Sequence, residues 1–115
     1  MATILLIDDN AIASALRANV LATHGHSAQI ALDGATGITL AEALRPDLIV
    51  LDHNLPDMNG AEVFARLKGL LPATPVIVLS GYDLLPDIYD PAPDAVLVKG
   101  DSVQQLPRII EELLP

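Results

Sequence analysis

The chain has no cysteine and no tryptophan, and only one phenylalanine and two tyrosines among its 115 residues. Without thiols there is no disulfide framework, no thiolate metal centre and no cysteine nucleophile, a composition compatible with a reducing compartment. Cations are scarce as well: six Lys and Arg stand against fifteen Asp and Glu, a formal charge of −9. Nucleic-acid affinity comes largely from clustered cations, so no direct nucleic-acid contact is expected. No apolar stretch approaches the roughly 20 residues that a membrane-spanning helix needs. Met1 leads directly into a strand rather than a basic-then-apolar signal segment, so a cytoplasmic protein without membrane association is expected. Glycine-rich nucleotide-binding motifs and the phosphate-loop lysine motif are absent, which argues against nucleotide enzymes. The length suits one domain over residues 1–115 with an ordinary core.

What the chain does have is a set of short apolar runs that each stop on a polar residue. Thr3 to Ile7 ends at Asp8 and Asp9, Leu48 to Leu51 at Asp52, Val76 to Leu79 at Ser80, and Val96 to Val98 at Lys99. Runs rich in Ile, Val and Leu, without polar alternation, suit strands covered on both faces, hence a parallel sheet between helical layers. In open sheets of that kind ligands sit beyond the carboxyl ends of the strands. Three carboxylates, a hydroxyl and an ammonium would therefore gather at one edge. Two like charges about 4 Å apart repel by ~4 kcal/mol at an effective dielectric near 20, so the cluster calls for a cation or a shifted protonation state. The combination describes a site for a divalent cation and a phosphoryl group.

Five strands alternate with five helical stretches. The first helix follows Asn10 as N-cap, presents Ile12, Leu16 and Val20 as its apolar face, and stops at Gly25. A second strand is expected near His26 to Ala31. Asp33 caps a second helix ending at Leu44 before Arg45-Pro46; Gly34, Gly37 and two threonines make it weak, so its existence depends on packing. Asn59 with Glu62 opens a third helix whose buried stripe is Val63, Leu67 and Leu70. Between Gly81 and Asp94, Pro86, Pro91 and Pro93 leave room for a turn or two of a fourth helix, near Asp87 to Tyr89. In the last helix Ser102 and Gln105 resemble a capping box, but Pro107 would then lie inside; a helix starting at Pro107 and running to Leu114 is expected instead. His24 and His26 are expected in a solvated turn at the opposite end of the sheet, and His53 at the rim of the site.

Taken singly, each polar residue at a strand end reads as a solvated carboxylate, a cap or a turn residue. Together, Asp8-Asp9, Asp52 within Asp52-His-Asn-Leu-Pro-Asp-Met-Asn-Gly60, Ser80-Gly81 and Lys99 resemble the receiver domain of two-component response regulators over essentially the whole chain. The resemblance implies a flavodoxin-like, doubly wound α/β fold with strand order 2-1-3-4-5 and five helices, the fourth short or disordered. It implies Asp52 as phosphoacceptor, and Mg2+ or Mn2+ held by Asp8, Asp9, Asp52 and the backbone carbonyl of Asn54. Lys99 and Ser80 would contact the phosphoryl oxygens, and Tyr82 with Asn54 would modulate hydrolysis. The implied partner is a histidine kinase or histidine phosphotransfer protein, with a homodimer as a further possibility. A phosphoacceptor of this kind is not a turnover enzyme. The Asp-x-Asp arrangement of a metallo-phosphatase is broken by Asn54.

Two positions depart from the family pattern. Val96 stands where receivers carry Tyr or Phe, and Gly100 where a proline follows the lysine. With the proline-broken segment, these fall on the face used for output. They leave open a pseudo-receiver acting as a phosphorylation-independent interaction module, or a segment 81–94 that orders on phosphorylation.

Overall fold

In a computed structural model, residues 1–81, 89 and 91–114 are described, residues 101–103 by backbone alone. Four of the apolar runs become strands: β1 Thr3–Ile7, β3 Leu48–Asp52, β4 Val76–Ser80 and β5 Ala95–Val98; Ser27–Ala31 forms β2. All pair in parallel in the order β2-β1-β3-β4-β5. Among the described residues there are four α-helices, α1 Ala11–Thr23, α2 Gly34–Leu44, α3 Gly60–Leu70 and α4 Ser102–Leu113, and a 3-10 turn over Lys99–Asp101. The expected fourth helix of five, near Asp87 to Tyr89, falls mostly outside the described residues, as does Tyr82.

Side chains alternate across a strand, and the two faces of this sheet divide the core accordingly. Leu5, Ile7, Ile49, Leu51, Val76 and Val78 pack with Val63, Phe64 and Leu67 of α3. Ile4, Leu6, Leu48, Val50, Ile77 and Leu79 pack with Leu21 of α1 and Leu106 and Ile110 of α4. Continuing that parity puts Asp8, just past β1, and Asp52, the last residue of β3, on the side of α1 and α4.

The weak second helix does depend on packing. A Cβ at Gly37 would stand 2.6 Å from Ile7 Cδ1, so glycine lets α2 lie directly against β1. Its start is tied from elsewhere: Asp33 accepts from Thr36 N–H, and Asp57, in the loop after β3, accepts from Gly34 N–H and Ala35 N–H.

Four expectations need correction. The inward face of α1 carries Ser14, Arg17 and Leu21, while Ile12 is 86% exposed and Leu16 52%. Small residues let this helix approach the sheet, with Ile12 and Leu16 pointing outward. Accordingly, Ile12→Ser is expected to leave stability within about 0.5 kcal/mol, where a core isoleucine would lose about 3 kcal/mol; urea unfolding measures the difference. On α3, Phe64 replaces Leu70 in the buried stripe. The last helix begins at Ser102 and runs through Pro107, which is buried beside Leu106. A proline inside a helix costs about 3 kcal/mol; the burial of Leu106 and Ile110 against the sheet offsets it. Finally, His24 is exposed but His26 is buried, its Nδ1 accepting from Ala2 N–H and its Nε2 lying 3.8 Å from Glu111.

Candidate functional site

Asp8 and Asp52 become neighbours because β1 and β3 run in register. Ile7 pairs with Leu51, so the residue after each lands side by side, on strands about 4.8 Å apart. Asp8, Asp9 and Asp52 bring one oxygen each to within 4.8 Å of one another. Asp8 and Asp52 are buried and Asp9 is exposed, so the cluster has closed walls and an open mouth. Lys99 follows β5 and reaches across: Nζ donates to Asp52 Oδ2 at 2.9 Å and lies 3.4 Å from Asp8 Oδ2. Ser80, fully buried, ends β4 at the same edge.

Each buried carboxylate has further donors. Asn54 N–H donates to Asp52 Oδ1 at 3.1 Å. Asn10 N–H donates to Asp8 Oδ1 at 3.0 Å, and Arg17 Nη1 to Asp8 Oδ2 at 2.8 Å. Asn10 also caps α1 through Ala13 N–H, which fixes the chain just past the two acids.

These contacts push the two carboxyls in opposite directions. Burial raises Asp52, and the hydrogen bonds from Lys99 and Asn54 do not bring it back to the ordinary aspartate value. Burial also raises Asp8, but the Asn10 N–H, the charges of Lys99 and Arg17 and a hydrogen bond from Asp52 together hold it below that value. Of these two adjacent acids Asp52 holds a proton more tightly than Asp8, the outcome expected when like charges share a site. Burial lowers Lys99, yet its contacts with Asp52 and Asp8 leave it raised.

Beyond Asp52 the chain closes a tight loop. His53 N–H donates to Leu79 O, Asn54 and Asn59 form an antiparallel bridge, and Gly60 N–H returns to His53 O. Asn59 caps α3 through Glu62 N–H. Tyr89 is buried against this loop, its hydroxyl 2.8 Å from His53 Nδ1 and its ring edge-on to Phe64 at 5.2 Å. Burial, with the charge of Asp52, pushes its hydroxyl up to about 12.

The structure thus brings together Asp8, Asp9, Asp52 and Lys99, with Ser80 and Asn54 alongside. Val96 is 41% exposed on the edge strand β5, and Gly100 lies in the 3-10 turn. Sequence reasoning missed Arg17 and Tyr89. Arg17 was legible only as the member of a Ser14, Arg17, Leu21 stripe at helical spacing, which the louder aliphatic series concealed.

An all-oxygen set of one exposed and two buried carboxylates suits a hard divalent cation such as Mg2+, which takes one or two carboxylates and keeps water in the remaining positions. The residues present therefore fit such an ion.

The response regulator receiver domain model matches residues 4–106. The probable transcriptional regulatory protein TcrX of Mycobacterium tuberculosis is 32% identical over 112 residues, covering 97% of this chain and 46% of TcrX. The transcriptional regulatory protein KdpE of the same organism is 44% identical over 81 residues, covering 70% of this chain and 35% of KdpE. The chain therefore spans about half, or less, of the length of these relatives. Among solved structures, the response regulator TrrA of Thermotoga maritima in complex with Mg2+ and BeF superposes with a TM-score of 0.90 at 25% identity, covering 99% of this chain and all of the other. A CheY-like receiver domain from Methanospirillum hungatei gives 0.88 at 26% identity, covering 98% and 94%. Strand order, a lysine reaching an acid cluster at the carboxyl edge, and the match over residues 4–106 converge on one conclusion: this chain belongs to the response regulator receiver domain family.

Proposed function

We propose that this chain is an active phosphoacceptor in two-component signalling, with Asp52 receiving the phosphoryl group from a histidine kinase or histidine phosphotransfer protein. The observation that carries this reading is the contact of Lys99 Nζ with Asp52 Oδ2 at 2.9 Å, beside the oxygens of Asp8 and Asp9. Receiver domains are phosphorylated by histidine kinases and bind Mg2+ at an acidic pocket, and both roles suit these side chains.

Asp9 and Asp52 would hold Mg2+ or Mn2+, with Asp8 in support and the Asn54 backbone carbonyl as a further ligand. When bound, the ion would supply charge neutralisation for the transferring phosphoryl oxygens. A carboxylate oxygen of Asp52 attacks phosphorus in line, the P–N bond to the donor imidazole breaks, and its electron pair leaves with the imidazole, giving an acyl phosphate. For that attack Asp52 must be ionised, although in the metal-free site its proton is held more tightly than usual. Lys99 offsets charge on the transferred group and Ser80 donates a hydrogen bond to it. Asn54, jointly with Tyr82, sets the lifetime of the acyl phosphate. The domain comprises residues 1–115, works in the cytoplasm, and does not itself bind nucleic acid.

Val96 on the outer face of β5 and Gly100 after the lysine favour an altered readout, and with it a second reading: an interaction module that is never phosphorylated. Incubation with acetyl phosphate and Mg2+ separates the two. The expected result is one acid-labile phosphoryl adduct that maps to Asp52 and is absent from Asp52→Ala; an unmodified wild-type protein would favour the interaction module.

A further inference from the structure

Arg17 is 4% exposed on the inner face of α1. A buried guanidinium requires a compensating anion, and among the described residues it meets Asp8, with Nη1 2.8 Å from Oδ2. Lys99 Nζ lies 3.4 Å from the same oxygen, and Asn10 N–H takes the other. A carboxylate offers about four lone-pair directions, and these three donors take up most of them. The formal charge points the same way. Three carboxylates against Lys99 and Arg17 leave the cluster one net negative charge, and without Arg17 it would carry two.

We infer that Arg17 is a positioning residue that holds Asp8 as an outer support of the cation site, leaves direct coordination to Asp9 and Asp52, and weakens the hold on a divalent cation. The inference rests on the cation reading above. Asp8 then has a fixed internal partner whether or not an ion is bound. Because part of its charge is already offset, a cation entering the site gains less from it. The site is thereby set to release its ion more readily than its three acids alone would allow.

Magnesium titration by calorimetry tests this on wild type, Arg17→Met, Asp8→Asn and the double variant, with thermal unfolding recorded with and without Mg2+. Arg17→Met is expected to bind Mg2+ roughly tenfold more tightly than wild type, by removal of one like charge near the ion. It should melt lower without metal and gain more from adding it. In the Asp8→Asn background the same substitution should tighten Mg2+ binding by less than in wild type, because the repulsion between Arg17 and the ion persists while the positioning of Asp8 is lost; an equal change in both backgrounds would mean that Arg17 acts by charge alone and would overturn its role as a positioning residue. Arg17→Gln, which keeps a donor toward Asp8 but no charge, should tighten binding in the same direction and serves if Arg17→Met does not fold. Arg17→Lys should restore wild-type affinity. A lower melting temperature with unchanged Mg2+ affinity would mean that Arg17 only packs, and would overturn the inference alone. Absence of Mg2+ binding in wild type and in every variant would overturn the cation reading together with it.

Discussion

Lys99→Met is expected to slow Mg2+-dependent labelling of Asp52 by acetyl phosphate by about two to three orders of magnitude, the loss typical of removing one preorganised charge-stabilising donor. Lys99 Nζ lies 2.9 Å from Asp52 Oδ2, and methionine keeps the length of the side chain while removing its charge. Rates of acid-labile adduct formation measure the effect, and a rate within threefold of wild type would contradict it. The substitution also changes how stability depends on pH. Lys99 is held above its ordinary value, so its stabilising contribution is complete below 10.5 and is lost as pH rises through its folded value. Asp8 is depressed, so its contribution is present above 3.8 and is lost as pH falls through its folded value. Asp52 has the opposite sign: its folded value is raised, so its titration increasingly opposes the metal-free fold as pH rises from 3.8 through that value. Without Lys99 that opposition grows. Leaving a buried carboxylate short of its partner costs about 2 kcal/mol, near the lower end for such pairs because Lys99 is partly exposed. The metal-free variant should therefore gain stability relative to wild type as pH is lowered from 7 through the folded value of Asp52, which urea unfolding at a series of pH values would show.

Why so much of this site is legible in the sequence follows from the parallel sheet. A strand buried on both faces must be continuously apolar, so the first polar residue after each run marks its end, and every end faces the same edge. Asp8, Asp52, Ser80 and Lys99 were readable in that way without any tertiary information. Helices give no comparable marker. On α1 the series Ile12, Leu16, Val20 has the right spacing for a core stripe, yet the helix is turned about one residue from it, because Ser14 and Ala18 let it sit close to the sheet and Arg17 reaches the Asp8 carboxylate. Apolarity identifies the core face only where the neighbour is apolar, and here the neighbour is the site. Pro107 misleads for a related reason: its local penalty is set against the burial of Leu106 and Ile110, which the isolated segment does not reveal. Tyr89 was hidden among prolines, in a stretch where neither helical nor strand periodicity applies. Its burial comes from contacts with His53 and Phe64, distant in sequence.

Gly60→Ala should be among the most damaging single-methyl changes in this protein, lowering stability by about 3 to 4 kcal/mol through overpacking and lost loop hydrogen bonds. A Cβ there would collide with the Tyr89 hydroxyl and would stand 2.7 Å from His53 O and 2.8 Å from His53 Cα. His53 cannot retreat without breaking two bonds, the one its N–H donates to Leu79 O and the one its carbonyl accepts from Gly60 N–H. Any movement is therefore passed to the residue before it, Asp52, whose Oδ1 is fixed by Asn54 N–H in the same loop. A displacement approaching 1 Å at a reacting group costs about 10²-fold in rate, so the folded fraction of Gly60→Ala should also label at least tenfold more slowly. Combining it with Tyr89→Phe distinguishes the two collisions. Removing the hydroxyl clears one of them and leaves the backbone contact intact, so the double variant should recover part of the stability and little of the labelling rate. Full recovery of both would mean that Tyr89 alone excludes a side chain at position 60, and that the loop behind Asp52 yields more easily than its hydrogen bonds imply.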